Sequence, residues 1–367
     1  MKFAVSREAL LKPLNLVAGV VERRQTLPIL SNVLLVLDGE WLSLTGTDLE
    51  VELVGRVHLE TAGDNGEITV PARKLVDICR SLPEGSTIQF TAEDGKLLVR
   101  SGRSRFTLAT LPARDFPNVE DSIGTHKISL RQGELRQLIE KTAFAMAQQD
   151  VRYYLNGMLW EIQPSMLRVV ATDGHRLAMC GLGGEYSVDE AKQVILPRKG
   201  VLELSRLLQD EEADVAVVIG NNHIRATTQD FTFTSKLVDG KFPDYERVLP
   251  KGADKVVLGS REDLRQAFAR TAILSNEKYR GVRLNFQEGS LQIVANNPEQ
   301  EEAEEEVSVE YGGEPVEIGF NVSYLLDVLG VLNTEQVKIS LSDPNSSALL
   351  EEPESGDAVY VVMPMRL

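Results

Sequence analysis

Two cysteines, four histidines and two tryptophans are all that 367 residues hold of three residue types that often carry chemistry. Cys79 and Cys180 lie far apart, which excludes a disulfide framework or a cysteine-built zinc cluster and fits reduced thiols. His58, His126, His175 and His223 never fall within a helical turn of one another, so a histidine-rich metal site is excluded too. No apolar run reaches the ~18 residues of a membrane helix, and Met1-Lys2-Phe3-Ala4-Val5-Ser6-Arg7 lacks the apolar core of a secretory signal, so no membrane partner and a cytoplasmic location are expected. Nucleotide and hydrolase signatures are missing as well. Gly95-Lys96 and Gly240-Lys241 are followed by Leu97 and Phe242 rather than Ser or Thr, and no G-x-G-x-x-G, H-E-x-x-H or G-x-S-x-G occurs. The usual motor, dehydrogenase and hydrolase readings lose support, while a carboxylate site, which needs no such motif, stays open; no metal and no cofactor are expected.

Basic residues are the scarcer charge, 39 Lys plus Arg against 55 Asp plus Glu, a net charge of -16. That balance excludes a surface attractive to nucleic acid everywhere, but leaves room for a local basic face. With 43% hydrophobic residues the chain is globular, and its length suits two to four domains of the usual ~100 to 200 residues.

The chain does contain an internal repeat. Ser6-Arg7-Glu8-Ala9-Leu10 returns as Ser260-Arg261-Glu262-Asp263-Leu264, and Leu135-Arg136-Gln137 as Leu264-Arg265-Gln266. Apolar residues after each start (Leu10, Leu14, Val17, Ala18, Val21; Leu135, Leu138, Ile139, Thr142, Ala143, Met146; Leu264, Ala267, Phe268, Thr271, Ala272) are spaced as one face of an amphipathic helix. A second helix follows in each copy, with Leu75, Ile78 and Leu82 matching Val201, Leu204 and Leu208, then Leu325, Val328 and Leu332. The period is about 125 residues. Leu111 to Pro117 and Leu237 to Pro243 close the first two copies, while the third stops at Met363-Pro364-Met365-Arg366-Leu367. Alternating segments between the helices, such as Val33–Leu37 and Trp41–Leu44 around Asp38-Gly39, predict β-hairpins. The fold class is therefore α+β, three tandem domains of two helices plus antiparallel sheets, with boundaries expected at 1–121, 122–250 and 251–367.

Repeats set end to end can close a ring. Six helices of ~10 Å diameter lining a hole leave roughly 9 Å free, whereas twelve, from two chains, leave roughly 28 Å, enough for a duplex about 20 Å wide. Cations gather on the expected helices (Arg7, Lys12, Arg73, Lys74, Arg80, Arg131, Arg136, Lys141, Arg198, Lys199, Arg206, Arg265, Arg270) and acids elsewhere, above all from Glu299 to Glu306. The second helix of the third copy carries Asp327 and no cation.

Several longer segments carry a family resemblance: Thr45 to Glu50, Gln149 to Gly157, Ala171 to Leu177, Phe242 to Tyr245, Ser275 to Lys278, Asn296 to Glu301 and Met363 to Leu367. Together they resemble the bacterial DNA polymerase III beta subunit, the sliding clamp, from the first residue to the last. The resemblance implies a ring-shaped homodimer without catalysis of its own. Such a ring encircles double-stranded DNA independently of sequence, is opened by a clamp loader, and tethers the DNA polymerase III alpha subunit as a processivity factor. It implies DNA contacts at Arg24, Arg73, Gln149, Tyr153 and Tyr154. A pocket for short peptides with apolar and glutamine anchors, shared with other polymerases and repair proteins, is implied at Leu155, Thr172, Gly174, His175, Arg176, Leu177, Pro243, Arg247, Val248, Asn321, Tyr324, Ser347, Val361, Met363, Pro364, Met365 and Arg366. A junction between chains is implied at Lys74, Arg103, Arg105, Phe106, Leu108, Ile273, Leu274, Glu301, Glu302 and Glu305.

The chemistry of the pocket set suits that role, with Leu, Val, Pro and Met as an adaptable wall and Arg and His to orient a backbone. Asp173 beside His175 is not expected to act as an acid–base pair, because two residues apart on one turn they do not address one proton. The alternative reading is a repeat-built scaffold that docks proteins without threading DNA. It would share the pocket but not a basic lining.

Overall fold

The computed structural model describes residues 1–23, 26–119 and 123–367; Arg24 and the expected boundary at Asp121 lie outside them. Six α-helices occur among these residues: α1 (Arg7–Ala18), α2 (Ala72–Ser81), α3 (Gln132–Glu140), α4 (Arg198–Leu207), α5 (Arg261–Ala272) and α6 (Val322–Val331). The recurring serines explain two of the starts. Ser6 Oγ accepts the Ala9 N–H and Ser260 Oγ the Asp263 N–H, each at 3.2 Å, satisfying a donor the first turn would otherwise leave open. Asn321 does the same for α6, its Oδ1 accepting the Ser323 N–H at 2.9 Å. The apolar stripes face inward as the spacing predicts: Leu10, Leu14 and Val17 are buried, as are Leu264, Ala267 and Phe268. Helix α3 is shorter than its stripe. Thr142 Oγ1 donates to the Leu138 carbonyl at 2.7 Å, and Ala143–Ala145 is a tight 3₁₀ turn that still buries Ala145 and Met146.

Two of the cations expected on helices are not there. Arg131 ends the strand His126–Arg131, and Lys141 follows α3 in the interior, paired with Glu352 at 3.6 Å.

The chain divides into two compact units, Met1–Gly133 with Leu202–Leu237, and Glu134–Val201 with Val238–Leu367. The first holds a four-stranded antiparallel sheet ending in Ser104–Ala109, and an eight-stranded one. In the eight-stranded sheet Val51–His58 pairs with Phe231–Lys236, so a strand of the first repeat continues into the second (Val51↔Ser235, Phe231↔Gly55). The second unit holds one twelve-stranded sheet, in which Arg176–Gly183 pairs with Ala358–Val362 in the same manner (Leu177↔Val361). Trp160, Tyr360, Phe268, Phe286 and Phe320 fill its core, and Phe90 and Phe233 are among the largest buried side chains of the first unit.

Among the described residues several strands pair with another strand on one side only: Lys2–Ser6, Gly66–Pro71, His126–Arg131, Lys192–Pro197 and Val316–Asn321 end their sheets, and two further edges bear on the expected junction. Ser104–Ala109 pairs only with Lys96–Ser101. Glu302–Glu310 pairs fully with Ser290–Asn296, but on its other side meets Lys255–Ser260 only at Val309 and Glu310. No helix among the described residues is long and apolar enough to cross a membrane.

Candidate functional site

The pocket residues are organised by the turn between the strands Met166–Thr172 and Arg176–Gly183. Gly174 turns the chain at φ +88°, where a side chain would be strained and a Cβ would press on the Arg152 guanidinium at 3.0 Å. Thr172 Oγ1 accepts the Gly174 N–H (3.2 Å) and donates to the Arg176 carbonyl (2.6 Å). Asp173 Oδ1 accepts the N–H groups of His175 (2.9 Å) and Arg176 (3.1 Å), and its Oδ2 accepts Arg176 Nε (3.2 Å). The Asp173 carboxylate is thus engaged by the turn and by Arg176, as expected for a structural rather than an acid–base role.

Arg176 is fixed from three sides. Its guanidinium donates to Asp327 and to the Phe144 carbonyl (3.0 Å), and lies over the Tyr324 ring at 4.5 Å and the Phe144 ring at 5.3 Å. Burial raises the Tyr324 hydroxyl pKa, Asp173 and Asp327 add to the rise, and Arg176 opposes it. Phe144 and Asp327 were not among the expected pocket residues. Asp327 had a sequence signal, since it stands three residues after Tyr324 on α6 and therefore shares its face.

Under this polar corner lies an apolar floor in which Leu155, Leu177 and Val361 pack with Phe242, Tyr245, Val170 and Ile195. Tyr245 anchors the Phe-Pro segment: its hydroxyl donates to Glu161 (3.1 Å) and accepts from Arg168 (2.9 Å). That leaves Pro243, Arg247 and Val248 exposed above the floor. The last residues are pinned rather than frayed, because the Met363 N–H donates to His175 O (3.0 Å) and the Met365 N–H to Gly319 O (2.7 Å). Met363 is 45% exposed, a flexible apolar rim beside a fixed arginine.

Leu155, Thr172, Gly174, His175, Arg176, Leu177, Tyr324, Val361 and Met363 therefore form one connected patch. Asn321 serves it indirectly, as the cap of α6. Ser347 is half-buried, one residue before Ala348, which pairs with Val362. Pro364 is half-buried, and Met365 and Arg366 line a neighbouring cavity of about 500 Å3 with Tyr279 and Leu367. Tyr279, 57% exposed, is a lining residue that spacing alone did not reveal.

Of the expected DNA contacts, Arg73 is exposed in the first turn of α2 beside Lys74. Gln149 is exposed at φ +53°, next to Asp150, whose carboxyl is drawn down to about 2 by the hydrogen bonds of Arg152. Tyr153 and Tyr154 lie in a 3₁₀ turn rather than a strand, their rings edge to face at 5.7 Å, with Tyr153 56% exposed. Gln149 and Tyr153 thus share one exposed loop. The basic helices are less positive than their sequences suggest, because Arg136–Glu140 (2.6 Å), Arg206–Glu203 (2.7 Å), Arg265–Glu262 (2.8 Å) and Arg270–Glu305 (2.5 Å) are paired locally.

The expected junction residues are spread over two strand edges and two helices, Lys74 lying in the first turn of α2. Ser104–Ala109 carries Arg105, Phe106 and Leu108, with Arg103 just before it; both arginines are exposed, Phe106 half-buried and Leu108 buried. In the other unit Glu301 is exposed just before the open strand, and Glu302 and Glu305 lie on it. Ile273 follows α5 with 75% of its surface exposed, and Leu274 is half-buried.

Comparisons with known proteins cover the chain throughout. Residues 1–120, 129–244 and 246–366 match the families described as the N-terminal, central and C-terminal domains of the DNA polymerase III beta subunit. A "Beta sliding clamp" of Pseudomonas aeruginosa is 68% identical over 367 residues, and that of Escherichia coli K12 57% identical, with all of each chain covered. A crystal structure of the Pseudomonas aeruginosa sliding clamp bound to griselimycin superposes with a TM-score of 0.98 at 68% identity over the whole of both chains.

Proposed function

The chain belongs to the DNA polymerase III beta subunit family, and from that premise we propose that it works as a sliding clamp, a homodimeric ring around duplex DNA that tethers the replicative polymerase. It performs no chemistry itself. Its work is topological and depends on closing the ring and on docking peptides. It acts in the cytoplasm, on DNA of any sequence, with a clamp loader, the polymerase alpha subunit and other polymerases and repair proteins as partners. Its three domains are read as 1–121, 122–250 and 251–367.

The observation that carries this reading is the match to all three domain families along the full chain. Two structural features support it. The edge strands Ser104–Ala109 and Glu302–Glu310 are complementary, Arg103 and Arg105 at one and the acidic run from Glu301 at the other, so a second copy of the chain could pair edge to edge, with Phe106, Leu108, Ile273 and Leu274 as its apolar centre; Lys74 on α2 is read as part of the same junction. The patch around Arg176 and Met363 suits an extended peptide, with the exposed Met363 and Val248 as its apolar contacts. Arg24, Arg73, Gln149, Tyr153 and Tyr154 are read as phosphate-tracking contacts, which carry no sequence information.

Fluorescence anisotropy tests the docking half. A labelled pentapeptide with glutamine at its start and leucine and phenylalanine at its end should bind the protein. An Arg176→Ala, Met363→Ala variant that keeps the parent's thermal unfolding should lose most of that affinity. Equal binding by the variant would remove the pocket from the proposal.

A further inference from the structure

Helix α5 ends directly before Ile273 and Leu274, so whatever fixes its last turn also fixes where those two side chains stand. The final carbonyls of a helix have no partner within it. Here the carbonyl of Ala272, the last residue of α5, accepts three donors: the Ser275 N–H (3.2 Å), the Ser275 hydroxyl (2.8 Å) and Arg280 Nη1 (3.1 Å). The first two belong to the turn itself. Arg280 reaches in from the far end of the following loop and brings a cation to the negative end of the helix dipole, where a positive charge is favoured.

The arginine is itself held in place. Its Nε donates to Ser323 Oγ (3.3 Å) in the first turn of α6, its N–H to the Asn276 carbonyl (2.8 Å), and its own carbonyl accepts the Val322 N–H (2.8 Å). Asn276 Oδ1 accepts the N–H groups of Lys278 and Tyr279, each at 2.9 Å, which draws the loop into a compact turn. Arg280 keeps φ +53°, a left-handed conformation that costs a residue with a Cβ and persists where its surroundings over-determine it. The last turn of α5 is thus tied at two points, to the edge strand Glu302–Glu310 through Arg270 and Glu305, and to the start of α6 through Arg280. Beyond these ties Ile273 stands 75% exposed.

The other repeats lack this tie. The strand pairs Asn32↔Pro71, Gly157↔Pro197 and Gly281↔Asn321 mark equivalent positions, so Arg280 corresponds to Asn156 and Ser31. Asn156 makes the same backbone bond as Arg280, its carbonyl accepting the Arg198 N–H at 2.9 Å. Its side chain stays in its own loop, exchanging hydrogen bonds with the Asp150 backbone, and its φ is an ordinary -81°. A serine is too short to span from a loop to a helix end. The long, strained residue occurs in the repeat whose first helix ends in the exposed isoleucine.

We propose that Arg280 is a positioning residue for the ring junction: by tying the Ala272 carbonyl to the start of α6 it sets Ile273 and Leu274 at the angle a second copy of the chain meets. The inference rests on the reading of Ile273 and Leu274 as junction residues.

Sedimentation equilibrium of the full-length protein tests it, through the dimer dissociation constants of the parent, Arg280→Asn, Ile273→Ala and the two combined. Asparagine accepts the left-handed backbone and removes the guanidinium. Each single substitution should weaken the dimer about tenfold, and the combined variant should fall short of their product by about threefold or more, because the arginine acts through the isoleucine. A side chain that only kept the domain folded would give the full product. Arg280→Lys keeps a cation at the helix end but lacks the fork that reaches Ala272 and Ser323 together, so it should weaken the dimer about threefold; the same cycle run with lysine decides the matter if Arg280→Asn unfolds. Parent-like dimerisation of both arginine variants, or a combined effect equal to the product, would overturn the proposal. If Ile273→Ala weakens the dimer and the arginine variants do not, the junction reading stands and this proposal alone falls. If Ile273→Ala leaves the dimer unchanged, the junction reading falls and takes the proposal with it.

Discussion

At the scale of single residues, the second unit depends on charges that are held rather than displayed. Asp327 fixes Arg176 from outside the pocket, so Asp327→Asn should weaken binding of the glutamine pentapeptide about fivefold, a cost of about 1 kcal/mol for one partly exposed charged hydrogen bond. Titration calorimetry measures this, and an unchanged affinity would show that Asp173, Phe144 and Tyr324 suffice to position the arginine. Lys141 and Glu352 pair deep in the interior, their side chains 9% and 6% exposed. Burial pushes the Glu352 carboxyl up, but the Asn333 N–H, the Ser355 hydroxyl and Lys141 outweigh it and hold it below the usual carboxylate range. A folded pKa below the unfolded one stabilises the protein above the unfolded value, about 4.3, and that contribution is lost as pH falls through the folded value. Lys141→Met removes a lowering partner, so its acid unfolding, followed by near-UV circular dichroism, should begin at higher pH. At pH 7 the variant should be less stable by about 3 kcal/mol, the cost of a buried charge left alone. An unshifted acid limb would mean that Asn333 and Ser355 suffice for Glu352.

At the scale of elements, the repeat makes most helices readable and the edges make the assembly testable. Ser260→Ala should cost about 1 kcal/mol, because it strands the donor that begins α5; chemical denaturation measures it. Helix faces and hairpins were legible because periods of 3.6 and 2 are local properties, and the capping serines recur in the repeat itself. Lys141 was misplaced because its ion pair spans 211 residues of sequence, and no local pattern marks a buried cation. The early end of α3 follows from one hydroxyl turning back at Thr142, which an apolar count does not register. In the candidate site, the pocket set came from resemblance rather than spacing. Asp327 and Phe144 act through Arg176 and become visible only when the second and third repeats share a sheet. The open edges predict a specific loss. Ile273→Ala with Leu274→Ala, or Arg103→Glu with Arg105→Glu, should give a folded monomer in sedimentation at low protein concentration, while an unchanged dimer mass in both would remove these edges from the junction.

At the scale of the whole molecule, an acidic protein that encloses DNA must do so without holding it. Local pairing of Arg136, Arg206, Arg265 and Arg270 leaves a weak field, so affinity without a loader should be low, blind to sequence and lost steeply with salt. A base-specific footprint that survives high salt would contradict that. What keeps such a protein on DNA is closure, and closure has a signature that binding lacks. The most direct measurement is therefore retention on nicked circular DNA after loading in the presence of a clamp loader and ATP, followed by cutting the circle once. Slow loss from intact circles and rapid release from the linear product are expected of a closed ring. Equal loss from circles and linear fragments would contradict it and leave a scaffold that docks peptides without threading DNA.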